Sequence, residues 1–260
     1  MSDLLLIAAL AISLLMLVTW VVSVVLNDAS IVDVIWGLGF AIATTAAYLA
    51  SPIDTTTDRA SLMLAMVVVW GLRLSIYLAW RNLGKGEDRR YQVMRKKSPD
   101  TFWIVSLFKV FGLQAVLMWV VAVPAVVTMA ADTAVWWLDW VGVGLWAFGL
   151  FFETTGDLQL ARFKARPDSK GKVMDRGLWR YTRHPNYFGD SCVWWGIYIV
   201  AAAGGAWWAI FSPIVMTALL MRYSGAGLLE KTITRRRPEY ADYIQRTNAF
   251  FPGPAKSRAS

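Results

Sequence analysis

Residues 4–26 read LLLIAALAISLLMLVTWVVSVVL, 23 residues without one charge. As a helix this stretch rises about 35 Å, enough to cross about 30 Å of hydrocarbon, and it has no polar face to turn toward water. It lacks the basic start and small-residue cleavage site of a signal peptide, so a retained span is expected. Stretches of the same character follow at about 31–50, 60–80, 102–129, 133–152, 187–203 and 206–223, the last two as a hairpin turned at Gly204-Gly205. The composition agrees: 57% hydrophobic, 14% aromatic, 15 Trp and only 17% charged, against about 25% charged in soluble domains. With a mean hydropathy of +0.46, this excludes a disordered chain and argues against a soluble domain. The expected fold is an all-α integral membrane bundle of about seven transmembrane helices. The whole of 1–260 is expected to be one domain, with polar segments at about 81–100, 156–186 and from about 224.

Charge placement orients that bundle. Residues 81–97 carry seven Lys and Arg, 162–183 carry eight, and 222–260 carry eight more, together 23 of 26. In a seven-span chain all three segments lie on one side. The positive-inside rule makes that side the cytosol and puts the N-terminus outside, in a multi-pass membrane protein. Arg59, Arg73 and Lys109 are the remainder. A net charge of +8 would suit a nucleic-acid binder, but cations confined to loops between spans argue against that partner. Single Cys192 and single His184 exclude an intrachain disulfide, a cysteine cluster and a His-rich site, so no metal is expected.

Ionisable groups within a bilayer cost on the order of 3 kcal/mol each, so each one is a functional candidate. Asp33, near the start of the second span, has two readings: a helix N-terminal acid favoured by the dipole, or a buried proton donor. Trp70, Arg73, Leu74, Tyr77 and Arg81 stand at offsets that share one face of the third span, and Lys85 extends it. Glu153 and Asp157 stand one turn apart at the end of the fifth; they either pair with following cations or bond a ribose or amide. Lys109 and Asp139 read as interfacial or structural. The densest run is Gly177-Leu178-Trp179-Arg180-Tyr181-Thr182-Arg183-His184-Pro185-Asn186-Tyr187-Phe188-Gly189-Asp190. Pro185 suits a first helical turn, and Asn186 and Asp190 are one turn apart and face inward together. Helix N-termini and Arg clusters suit phosphates. Gly142-Val143-Gly144-Leu145-Trp146-Ala147 matches a dinucleotide G-x-G-x-x-A pattern, but inside an apolar span with no strand before it, and is rejected. No Walker lysine, HExxH, GxSxG or CxxC motif occurs.

At that run the chain resembles the steroid 5-alpha-reductase family, most closely its bacterial branch known as domain of unknown function 1295. The resemblance covers most of the chain. It rests on Trp70-Gly71-Leu72-Arg73-Leu74 with Tyr77, on Gly86-Glu87-Asp88-Arg89-Arg90-Tyr91, on Arg183 to Asp190, and on the 238–252 tail. It implies a seven-helix bundle that holds NADPH and reduces a carbon–carbon double bond conjugated to a carbonyl in a lipid or steroid-like substrate. Asn186, Asp190 and Arg222 would then contact the cofactor, with Arg73, Tyr77, Asp157, Lys164 and Lys172. Arg81, Tyr181, Arg183, His184 and Tyr187 are read as lining the same site. The family's Gln-Glu pair before the second helix is missing; Asp33 is the nearest acid and Trp70 falls about where an early Tyr would. A His and a Tyr after the last span appear as Ala226 and Glu230. Asp33 is therefore the expected catalytic donor and Tyr77 the next candidate. The alternative is an S-adenosylmethionine-dependent methyltransferase of the isoprenylcysteine carboxyl methyltransferase type, whose Arg-His-Pro element is similar. The expected partners are a lipophilic substrate and membrane lipid, with no obligate protein partner.

Overall fold

A computed structural model describes residues 1–51, 58–82, 84–223 and 239–254, with only the backbone of 222 and 223. The described residues are mostly helical, and no strand occurs among them. Helices stand at all seven apolar stretches. Four are long and apolar enough to cross a membrane: α1 (Ser2–Leu26), α2 (Ile31–Leu49), α3 (Asp58–Asn82) and α5 (Phe102–Thr128). A short polar helix, α4 (Arg89–Lys97), precedes α5, which widens to π-helical turns at Leu107–Gly112. α6 (Trp137–Lys164), α7 (Pro185–Ala203), α8 (Phe211–Ala218) and α9 (Glu239–Arg246) complete the order.

The chain forms two compact units, each discontinuous in sequence: Met1–Asp139 with Ile197–Ser212, and Trp140–Gly196 with Pro213–Ser260. In the first, α1 turns Leu4, Ala8, Ile12 and Met16 inward at four-residue spacing. Leu6, Leu10, Leu14 and Val25 stand 60% or more exposed on its other side. An apolar outer face of that extent suits hydrocarbon and would aggregate in water. α2 and α3 run antiparallel at backbone contact: a Cβ on Gly37 would lie 2.4 Å from Gly71 O, and the reverse holds equally. Close approach through small residues is how apolar helices gain packing where no hydrophobic force drives them together. Phe40 meets Trp70 edge-on beside that crossing, and Trp20 Nε1 ties α1 to α5 through Trp103 O at 2.8 Å.

The fifth apolar stretch starts later than expected from its sequence. Residues 131–136 are not helical, because Arg59 gathers them. Its Nε and Nη2 donate to Asp139 at 2.8 Å each, Nη1 donates to Thr133 O at 2.9 Å and Nη2 to Ala134 O at 2.7 Å. Asp139 in turn accepts from Trp136 N. Both charged side chains are fully buried. Asp139 is thus structural, as one of its readings held. α6 also runs on to Lys164, so 156–164 is helix and not loop. The last apolar stretch is broken: a 3₁₀ turn at Trp207–Ile210, then α8, then π-helical turns at Leu219–Tyr223. The turn before it is at Gly204-Gly205, where Gly205 takes φ of 95°.

Candidate functional site

In the second unit, α6 and α7 run antiparallel with glycines setting their separation. A Cβ on Gly149 would lie 2.5 Å from Gly189 O, one on Gly189 2.4 Å from Glu153 N, and one on Gly196 2.6 Å from Gly142 O. The glycines recur every two turns, at 142, 149 and 156 on α6 and at 189 and 196 on α7. The rejected G-x-G-x-x-A match therefore has another use: Gly142 is a packing residue, while a Cβ on Gly144 would meet nothing within 4 Å.

This seam brings the polar residues together. Gly156 lies under Pro185 and Asn186, and Asn186 Nδ2 donates to Asp157 Oδ1 at 3.1 Å. Glu153, Asp157 and Asp190 are all buried. A carboxylate only accepts, so the bond to Asp157 fixes which way the Asn186 amide points. The other end, Asn186 Oδ1, is a buried acceptor with no hydrogen-bond partner among the described residues.

The run before α7 is tied to the C-terminal segment. Buried Arg183 donates from Nη1 to Ile244 O at 3.1 Å and Thr247 O at 2.6 Å, and its N–H donates to Asn248 O. Thr182 Oγ1 donates to Phe250 O at 2.8 Å, Tyr243 OH to Trp179 O, and Gly253 N to Tyr181 O. Phe188 meets Phe152, Phe250 and Phe251 edge-on. His184 stacks on Tyr187, the ring centroids 5.4 Å apart. Arg183 thus clamps the tail onto the run, a role sequence spacing did not suggest. Of the other expected cofactor residues here, Lys164 and Tyr181 are exposed, and Lys172 pairs on the surface with Asp168 at 3.2 Å. The side chain of Arg222, and Ala226 and Glu230, lie outside the described residues.

The remaining expected residues lie in the first unit. The Tyr77 ring sits between the guanidinium groups of Arg73 and Arg81, at 5.5 and 5.6 Å, as their shared face required. Lys85 Nζ bonds Arg81 O. Asp33 is not the N-cap of α2, which is Ser30. Its carboxylate accepts from Arg90 Nη2 and from Tyr91 OH at 2.9 Å. As arranged, Asp33 is an acceptor twice over, and the proton beside it sits on the Tyr91 phenol. Burial, with the Asp33 charge next to it, pushes that phenol far above the ordinary tyrosine range. Arg90 and Tyr91 were part of the resemblance motif, but no helical spacing relates them to Asp33. Among the described residues no group of three His, Cys, Asp or Glu is disposed to hold a metal.

A family model described as "Protein of unknown function (DUF1295)" matches residues 19–247. The chain belongs to that family. The match takes in both polar clusters and reaches Thr247, whose carbonyl Arg183 holds. The chain is also similar to the uncharacterized protein C594.04c of Schizosaccharomyces pombe, at 26% identity over 90% of this chain and 76% of that protein. No solved structure matches.

Proposed function

We propose that this is a seven-span inner-membrane protein, N-terminus outside and C-terminus cytosolic, that binds NADPH and reduces a double bond conjugated to a carbonyl in a lipid. For the topology, 23 of 26 cations fall on the cytosolic side of a seven-span chain. Arg59, the cation left in an outer segment, is neutralised internally by Asp139.

The observation that carries the ligand reading is the Asn186 amide, locked by Asp157 with its oxygen buried and lacking a donor among the described residues. A buried acceptor left unpaired costs about 1–3 kcal/mol, and a ligand amide or hydroxyl would satisfy it. A nicotinamide carboxamide and a ribose both offer such donors, so the residues present fit the cofactor. Asn186 would accept from it, and Asp157 would hold Asn186 in place. The basic segment from Arg162 to Arg183 would attract its phosphates. NADPH, when bound, supplies a hydride. The chain's own proton-holding group is the Tyr91–Asp33 pair, which revises the expectation of Asp33 alone. Asp33 orients the phenol by accepting from it, and Arg90 pairs with the other carboxylate oxygen of Asp33.

The test is thermal unfolding with NADPH, NADH and S-adenosylmethionine. NADPH should stabilise the protein most, because only it carries the 2'-phosphate. Stabilisation by S-adenosylmethionine alone would replace this reading with a methyltransferase.

A further inference from the structure

α4 carries five cations in nine residues, and the structure divides them into two sets. Arg90 and Arg95 are neutralised. Arg90 is paired to Asp33 and Asp88, and Arg95 to Glu87 at 2.8 Å. Arg89, Lys96 and Lys97 are exposed and have no carboxylate partner among the described residues. Helical offsets of 0, 7 and 8 put these three on one face, with exposed Val93 between them at offset 4.

The neutralised set fixes where that face stands. Arg95 Nη1 donates to Asn27 Oδ1 at 2.8 Å, Ala29 N donates to Glu87 Oε1 at 2.9 Å, and Asp88 N donates to Ser30 Oγ. These bonds hold α4 against the α1–α2 turn, where two membrane-length helices end. Asp88 also caps α4 by accepting from Arg90 N at 2.9 Å. Although burial opposes it, this bond and the Arg90 guanidinium hold its carboxyl below the usual range, so the cap stays ionised. α4 is further confined between the end of α3 at Asn82 and the start of α5 at Phe102. Trp103, half-exposed, shares its carbonyl with the Trp20 indole at this level, as interfacial tryptophans do.

We propose that the Arg89–Lys96–Lys97 face of α4 binds anionic phospholipid headgroups. A helix fastened at the surface level of a bilayer, with the preceding carboxylates of Glu87 and Asp88 spent on Arg95 and Arg90, offers three positive charges that no carboxylate among the described residues pairs with. Anionic headgroups are the complementary surface there. The inference needs the membrane placement but not the NADPH reading.

The experiment uses the full chain in neutral detergent, titrated with phosphatidylglycerol or phosphatidylcholine, with retained lipid read by native mass spectrometry and Tm followed in parallel. The parent should retain phosphatidylglycerol over phosphatidylcholine. Each cation removed by Arg89→Gln, Lys96→Gln or Lys97→Gln should lower that affinity about fivefold, and all three roughly a hundredfold. Tm in phosphatidylcholine should not change. Equal phosphatidylglycerol affinity in the parent and the triple variant overturns the proposal. Displacement of the lipid by inorganic phosphate or NADPH also overturns it, since the face would then serve a soluble phosphate. If the triple variant melts early, Lys96→Gln and Lys97→Gln replace it singly, and an unchanged affinity in both refutes the assignment.

Discussion

Replacing Gly189 with Ala tests whether the α6–α7 seam holds the Asp157–Asn186 contact together. The added Cβ would sit 2.4 Å from Glu153 N and 2.6 Å from Gly149 O, where ordinary contact begins at 3.4 Å. Both atoms are backbone and cannot swing aside, so the helices must part by about 1 Å. Overpacking of this kind costs about 1–3 kcal/mol. The same movement stretches the 3.1 Å bond from Asn186 to Asp157 to about 4 Å, past hydrogen-bond range. A buried acceptor then loses its donor, for about 1–3 kcal/mol more. The sum, about 2–6 kcal/mol, corresponds to a Tm lower by roughly 5–20 °C at this chain length. Gly144→Ala is the internal control on α6. Its Cβ would meet nothing within 4 Å, and Ala in a helix is worth up to about 1 kcal/mol over Gly. Thermal unfolding in detergent, followed by tryptophan fluorescence, separates the two variants. If Gly189→Ala melts with Gly144→Ala, the helices do not meet at glycine and the site geometry built on that seam is wrong.

Arg59→Met leaves Asp139 buried without its cation and should cost about 3–5 kcal/mol, most of it recovered in the double variant with Asp139→Leu. A double-mutant cycle with no coupling energy would refute this. Asn186→Ala and Asp190→Ala should each weaken NADPH binding about tenfold while the protein still inserts, the loss expected for one hydrogen bond; unchanged titrations would make both residues merely structural. Tyr91 bears on pH. Its folded pKa is raised above an unfolded value near 10, so its contribution to stability is complete below about pH 10 and is lost as pH rises further. Phenolate absorbance at about pH 11 should therefore be the same in the parent and in Tyr91→Phe, and a deficit of one tyrosine in the variant would contradict the burial.

The sequence by itself determined what is additive along the chain. Apolar length and the Gly204-Gly205 turn follow from local composition, whereas the side of the uniformly apolar α1 that is buried, through Leu4, Ala8, Ile12 and Met16, does not. The shared face of Arg73, Tyr77 and Arg81 and the helix start at Pro185 also follow from the sequence, because a helix brings together residues three, four and seven apart wherever it packs. Contacts between helices do not follow from spacing. Arg59 finds Asp139 across 80 positions, and the partners of Asp33 lie 57 and 58 residues away. Arg183 was legible as a cation in a promising motif, but only the folded tail, with its carbonyls at Ile244 and Thr247, makes it a clamp. The glycines show the same division. Gly142 and Gly144 are indistinguishable in sequence, and the tertiary structure alone separates the one pressed against α7 from the one facing open space, because backbone-to-backbone approach belongs to a pair of helices and to neither sequence by itself.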